Sequence, residues 1–119
     1  MLGRDDVEKY IKELHVKIKT FGILYRDDRG KNAQTLLDLE ISPGKRTEII
    51  ESLKLEDYSE GPIDEKLHGM MPMWVFGKLV REKEVYIKIT MGNPNLSAVC
   101  ISFHIAEHPM NYPFKKGKS

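Results

Sequence analysis

The chain has 119 residues, enough for one compact domain and too few for two ordinary ones. Hydrophobic residues make up 40% and charged residues 31%, a folded composition rather than a disordered one. The formal net charge of +1 announces no nucleic-acid binding by bulk charge, so any such binding must come from local clusters.

The lone Cys100 excludes an intramolecular disulfide and makes a thiolate zinc site implausible. No apolar run approaches membrane-spanning length. The opening residues Met1-Leu2-Gly3-Arg4-Asp5-Asp6 turn acidic at once, so no signal peptide is expected. These features fit a cytoplasmic protein.

Asp5 or Asp6 is positioned to cap a first helix, with Val7, Tyr10, Ile11 and Leu14 recurring at helical intervals. His15-Val16-Lys17-Ile18-Lys19-Thr20 fits either a continuation of that helix or a strand. Phe21 to Tyr25 reads as a short strand, and Arg26 to Asn32 as a polar turn. Asn32 is placed to cap a short helix holding Leu36, Leu37 and Leu39. Ser42-Pro43 marks a second helix start, with Ile49, Ile50 and Leu53 facing inward. Asp57 to Pro62 breaks that helix, and residues 63–72 form a loop.

Three segments then resemble a meander: Met73 to Lys78, Glu84 to Thr90 and Ala98 to His104. The last two alternate strictly. Val85, Ile87, Ile89, Val99, Ile101 and Phe103 form one set; Tyr86, Lys88, Cys100, Ser102 and His104 form the other. Successive strand side chains point to opposite faces, so one face should meet a core and the other carry a phenol, an ammonium, a hydroxyl and an imidazole. The matching register pairs Val85 with Phe103, Ile87 with Ile101 and Ile89 with Val99. One register of the first hairpin puts Trp74, Phe76 and Lys78 on the polar face; a one-residue slip buries Trp74 and Phe76. The expected architecture is α+β, with N-terminal helices on one face of a small antiparallel sheet. Residues 1–108 form the single domain, and 109–119 a Pro-containing basic tail.

Tyr86, His104, Lys88 and Lys78 have the chemistry for metal-free phosphodiester cleavage by a ribose 2′-hydroxyl. An imidazole serves as base or acid near neutral pH, a phenol donates to phosphate oxygen, and ammonium groups stabilise the phosphorane. No metal-ligand cluster and no cofactor motif is apparent. Trp74 and Phe76 are candidates for stacking bases, and Arg81, Lys115 and Lys116 for contacting backbone phosphates. The plainer alternative is an ordinary solvated sheet face with an aromatic pair in the core.

The chain resembles the MqsR-type toxins of bacterial type II toxin–antitoxin systems, relatives of the RelE-like RNA interferases. The resemblance spans roughly residues 30–104. It rests on Thr35-Leu36-Leu37, Ile49-Ile50 and Leu53, Asp57-Tyr58, Trp74, Val85-Tyr86-Ile87-Lys88 and Ile101-Ser102-Phe103-His104, in that order. It implies helices on a small antiparallel sheet, metal-independent cleavage of messenger RNA, and neutralisation by a cognate antitoxin protein. Carried over by position, the family's catalytic tyrosine is Tyr86 and the following strand lysine is Lys88. The family's last-strand lysine is here His104. Two positions depart: a family lysine maps near Glu60, and a family glutamine on Val75. A non-catalytic module binding RNA or a protein partner, and a metabolic enzyme, are the rival readings.

Overall fold

A computed structural model describes residues 3–28, 30–64 and 71–115. The elements run α1 (Arg4–Phe21), β1 (Ile23–Tyr25), α2 (Gly30–Leu39), α3 (Pro43–Glu51), a 3₁₀ turn (Leu55–Asp57), β2 (Tyr58–Ile63), β3 (Met73–Val80), β4 (Lys83–Thr90) and β5 (Ala98–Ile105). Among the described residues no helix is long and apolar enough to cross a membrane.

The ambiguous residues His15 to Thr20 continue α1, because Ile18 prolongs the stripe of Val7, Tyr10, Ile11 and Leu14, all buried. The start of α1 lies earlier than expected: the Gly3 N–H donates to Asp6 Oδ2 at 2.9 Å. The α3 start is as read, with Pro43 in the first turn and the Lys45 N–H donating to Ser42 Oγ at 3.1 Å. Leu37 is 72% exposed; Asn32, Thr35 and Leu39 are the buried residues of α2.

The helices and sheet form an α+β fold. The strand order is β1-β5-β4-β3-β2. The three junctions from β5 to β2 are antiparallel, those of β3–β4 and β4–β5 as expected, but β1 joins β5 in parallel, so the sheet is mixed. β2 was not foreseen: Gly61 and Pro62 interrupt any strand pattern, and its pairing with β3 shifts register twice.

One face of the sheet packs into the main core. Tyr10 stacks on Trp74 with ring centroids 4.0 Å apart. Val7, Leu14, Ile50, Phe76, Ile87 and Phe103 fill the layer between helices and strands. His15 links two helices by donating a ring N–H to the Ile50 carbonyl at 3.1 Å.

The register between β4 and β5 differs from the simple alternation. Val85 opposes Ile105, Ile87 opposes Phe103 and Ile89 opposes Cys100. Since Lys88 opposes Ser102 and Ile89 opposes Cys100, Ile101 is an extra residue, a β-bulge. The bulge moves the parity of the strand's first half, and Cys100 enters the core at 1% exposure rather than the polar face.

The C-terminal segment is not a free tail as far as Lys115. Ala106 donates its N–H to the Glu84 carbonyl at 2.8 Å. Further on, the Tyr112 hydroxyl donates to Glu84 Oε2 at 2.6 Å. Phe114 then packs on Tyr58, centroids 5.6 Å apart. Residues 106–115 thus form a strap over the polar face.

Candidate functional site

The polar face keeps the parity its sequence implies from Ser102 onward. Tyr86 opposes His104 and Lys88 opposes Ser102 in adjacent rows of the β4–β5 ladder. Directly opposed side chains on one face touch, and the Tyr86 and His104 rings stack with centroids 5.2 Å apart and planes 15° from parallel.

These side chains line a cleft of about 590 Å³. Lys88 and Tyr86 are its floor, Ser102 and His104 lie along β5, and Ser59 and Glu60 contribute from β2. The strap, residues 107–111, closes the remaining side. The site is therefore built from three strands and a segment that runs from the end of the expected domain into the expected tail.

Hydrogen bonding constrains the imidazole. A carbonyl oxygen only accepts, so the 3.0 Å contact between His104 Nδ1 and the Ile105 carbonyl requires the proton on Nδ1. Nε2 is then the nitrogen available for proton transfer. The Tyr86 phenol is held above its ordinary pKa, first by burial and then by the negative charge of Glu60. It stays a proton donor at neutral pH. Glu107 is lowered by its hydrogen bond and ion pair with Lys31, with smaller contributions from His104 and His108. Among the described residues lining the cleft, Lys88 is the one permanent cation, and no described carboxylate comes within ion-pair distance of it.

Other expected site residues lie elsewhere. Lys78 opposes Val85, on the helix-covered side of the sheet, where its Nζ donates to Asp57 Oδ2 at 2.9 Å and to the Ser52 carbonyl at 3.3 Å. It cannot serve the Tyr86–His104 pair through the sheet. Trp74 is 8% exposed and Phe76 wholly buried, both within the main core, so neither is free to stack on a base. The register that buries them is the one adopted: Trp74 opposes Ile89 and Phe76 opposes Ile87.

Arg81 sits in the β3–β4 turn and borders a separate cavity of about 580 Å³ with Lys45 and Lys78. Lys115 is exposed, its ammonium 5.4 Å from the Tyr112 ring centre. Lys116 and the loop residue His68 lie outside the described residues.

Glu60, His108 and Asn111 are among the cleft residues that were missed. Glu60 looked like a lost cation rather than a member of the site, because β2 was read as a helix break. Asn111 was assigned to a tail, and His108, at the end of the expected domain, was given no partner. The signal that exposes the strap is Gly77: it opposes Tyr86 on the polar face, and a methyl group there would overlap the Tyr112 ring.

No group of three or more His, Cys, Asp or Glu side chains among the described residues is arranged to hold a metal ion. No protein-family model matches the chain, and no curated protein or solved structure matches it either.

Proposed function

We propose that this protein is an endoribonuclease whose cleft binds a single RNA strand and promotes attack of a 2′-hydroxyl on the neighbouring phosphate. The observation that carries the reading is the stacked Tyr86–His104 pair with Lys88 in the next row of the same cleft. His104 supplies a ring nitrogen open to proton transfer, Tyr86 a phenolic proton held on at neutral pH, and Lys88 a cation for the phosphorane. The MqsR-type resemblance supports the same chemistry. It extends the proposal to a toxin acting on messenger RNA and silenced by a cognate antitoxin protein. Arg81 and Lys115 remain candidates for outer phosphate contacts; Lys78, Trp74 and Phe76 are not part of the site.

Incubation of the purified chain with a labelled RNA oligonucleotide and its all-deoxy counterpart tests the reading. The RNA should be cut to fragments ending in 2′,3′-cyclic phosphate, and the deoxy strand left whole. Tyr86→Phe and His104→Ala together should slow cleavage by about 10³-fold, in the range of general acid–base contributions. Induction in a bacterium should arrest growth, and the double variant should not.

A second reading, binding without cleavage, is favoured by one observation: Lys78 is diverted to Asp57, leaving the cleft a single permanent cation among its described residues. Salt-sensitive binding of intact RNA, with no products, would select it.

A further inference from the structure

The cleft holds a carboxylate that its electrostatics do not explain. Glu60 is exposed, lines the same cleft as Lys88 and His104, and pairs with no described residue. A fixed negative charge beside a bound phosphodiester repels it, a cost that the carboxylate offsets where it takes a proton in the reaction. Its place in the sheet suggests how. Glu60 on β2 opposes Val75 on β3, Val75 opposes Lys88 on β4, and Lys88 opposes Ser102 on β5. His104 stands one row along on β5. With strands roughly 4.8 Å apart, the β2 and β5 backbones are about 14 Å apart across three spacings. Two side chains leaning inward over that span leave room for about one phosphodiester group, with Lys88 beneath it.

We infer that Glu60 is the general base and His104 the general acid of in-line RNA cleavage. This rests on the ribonuclease reading above and assigns roles within it. Transesterification needs a proton removed on one side of phosphorus and another delivered on the opposite side. The Glu60 carboxylate takes the 2′-hydroxyl proton as the 2′-oxygen bonds to phosphorus. The bond from phosphorus to the 5′-oxygen breaks, and His104, protonated at Nε2, gives its proton to that oxygen. The products are a 2′,3′-cyclic phosphate and a free 5′-hydroxyl, with no oxidant, reductant or other reactant consumed. His104 Nδ1 is engaged with a carbonyl, so only Nε2 is open to deliver the proton.

The titratable and charged groups around Glu60 are Tyr58 on its own strand, Tyr86 and Lys88 on β4, His104 on β5, and Glu107 and His108 of the strap. None of these is a second described carboxylate on β2's side of the cleft, so an acidic limb in the rate profile can be tested at Glu60 itself.

The test compares the full-length wild-type chain with Glu60→Gln and His104→Ala on an RNA oligonucleotide between pH 4 and 9. Glu60→Gln should lower kcat about 100-fold and flatten the acidic limb, while Glu60→Asp keeps the limb. Because Glu60 is exposed, thermal melting should match wild type. A substrate with sulfur in place of the 5′ leaving oxygen departs without a proton. It should restore cleavage to His104→Ala and leave Glu60→Gln slow. A Glu60→Gln protein with unchanged kcat and an intact acidic limb overturns the assignment, as does rescue of Glu60→Gln rather than His104→Ala by the sulfur substrate. In both cases wild-type cleavage persists, and the ribonuclease reading stands. Wild-type protein that leaves RNA whole removes both.

Discussion

Asn32 is 2% exposed, and its carboxamide bonds three backbone groups at once. Nδ2 donates to the Arg26 carbonyl at 2.8 Å and the Ile101 carbonyl at 3.0 Å, and Oδ1 accepts the Phe103 N–H at 3.1 Å. Pairing between β1 and β5 stops at Tyr25 and Cys100; beyond it the Asn32 side chain takes over the edge of β5, at the bulge. That bulge turns Cys100 into the core while Ser102 and His104 still face the cleft. Replacing Asn32 by Ala leaves buried backbone groups unpaired and should cost about 2–4 kcal/mol. The urea midpoint should drop accordingly, and melting should fall by about 10 °C. A loss below half of the lower figure would mean water or a shifted backbone replaces the amide. In the sequence Asn32 looks like a helix cap, because that is the local use of asparagine. Its true partners Ile101 and Phe103 are 69 and 71 residues away, and no local spacing encodes that. Tyr86, Lys88, Ser102 and His104 were legible because alternation is local.

At the scale of elements, alternation failed where a strand is buried on both sides. Met73 to Gly77 of β3 are all buried, one side against the helices and the other beneath the strap and cleft. Such a strand reads as an apolar run with no preferred face, which is why two registers of Trp74 and Lys78 competed. The strap was illegible for a related reason. Pro109, Pro113 and the lysines after them suit an extended tail; the docking of Tyr112 over Gly77, with the Glu84 bonds and the Phe114–Tyr58 contact, shows otherwise. Gly77→Ala tests that docking. The added methyl should displace the Tyr112 ring and release the Glu84 bond, at a cost of about 1–3 kcal/mol from overpacking and the lost contact. Limited proteolysis should then cut within residues 106–115 while the rest of the chain stays resistant. Unchanged protection of that segment would show that the strap is held without Tyr112.

For the whole molecule, the distinctive ionisable groups are buried acids that resist losing a proton. Burial pushes the Cys100 thiol from an ordinary 9.0 up to about 12. Burial likewise raises Tyr10, Tyr25, Tyr58, Tyr86 and Tyr112, with the Glu84 hydrogen bond adding to the last. Above pH 9 the unfolded chain sheds these protons first, so the folded state binds more protons and stability falls as pH rises. Stability from these groups should be complete below pH 9 and decline toward pH 12, at up to about 1.4 kcal/mol per pH unit for the well-buried Cys100 and Tyr10 and less for the partly exposed phenols. Urea midpoints at pH 7, 9 and 10.5 measure this. Cys100→Ala should delay the onset from about pH 9 to about pH 10, where phenols begin to ionise. A midpoint that holds level through pH 10.5 would contradict the burial seen for these side chains.

The overall architecture was legible because helical and strand periods are strong signals over ten or more residues. The parallel strand was not, since three residues, Ile23 to Tyr25, carry too little pattern to name a partner about 75 positions later. That pairing has a consequence during synthesis. The last of the described strands to leave the ribosome, β5, is inserted between β1 and β4, so the earlier strands of the sheet wait, open, for it. A nascent polypeptide halted before Ala98 already contains Tyr86 and Lys88 but has nowhere to assemble them with an imidazole. Whatever the finished cleft does, it begins doing only after β5 and the strap behind it have been made.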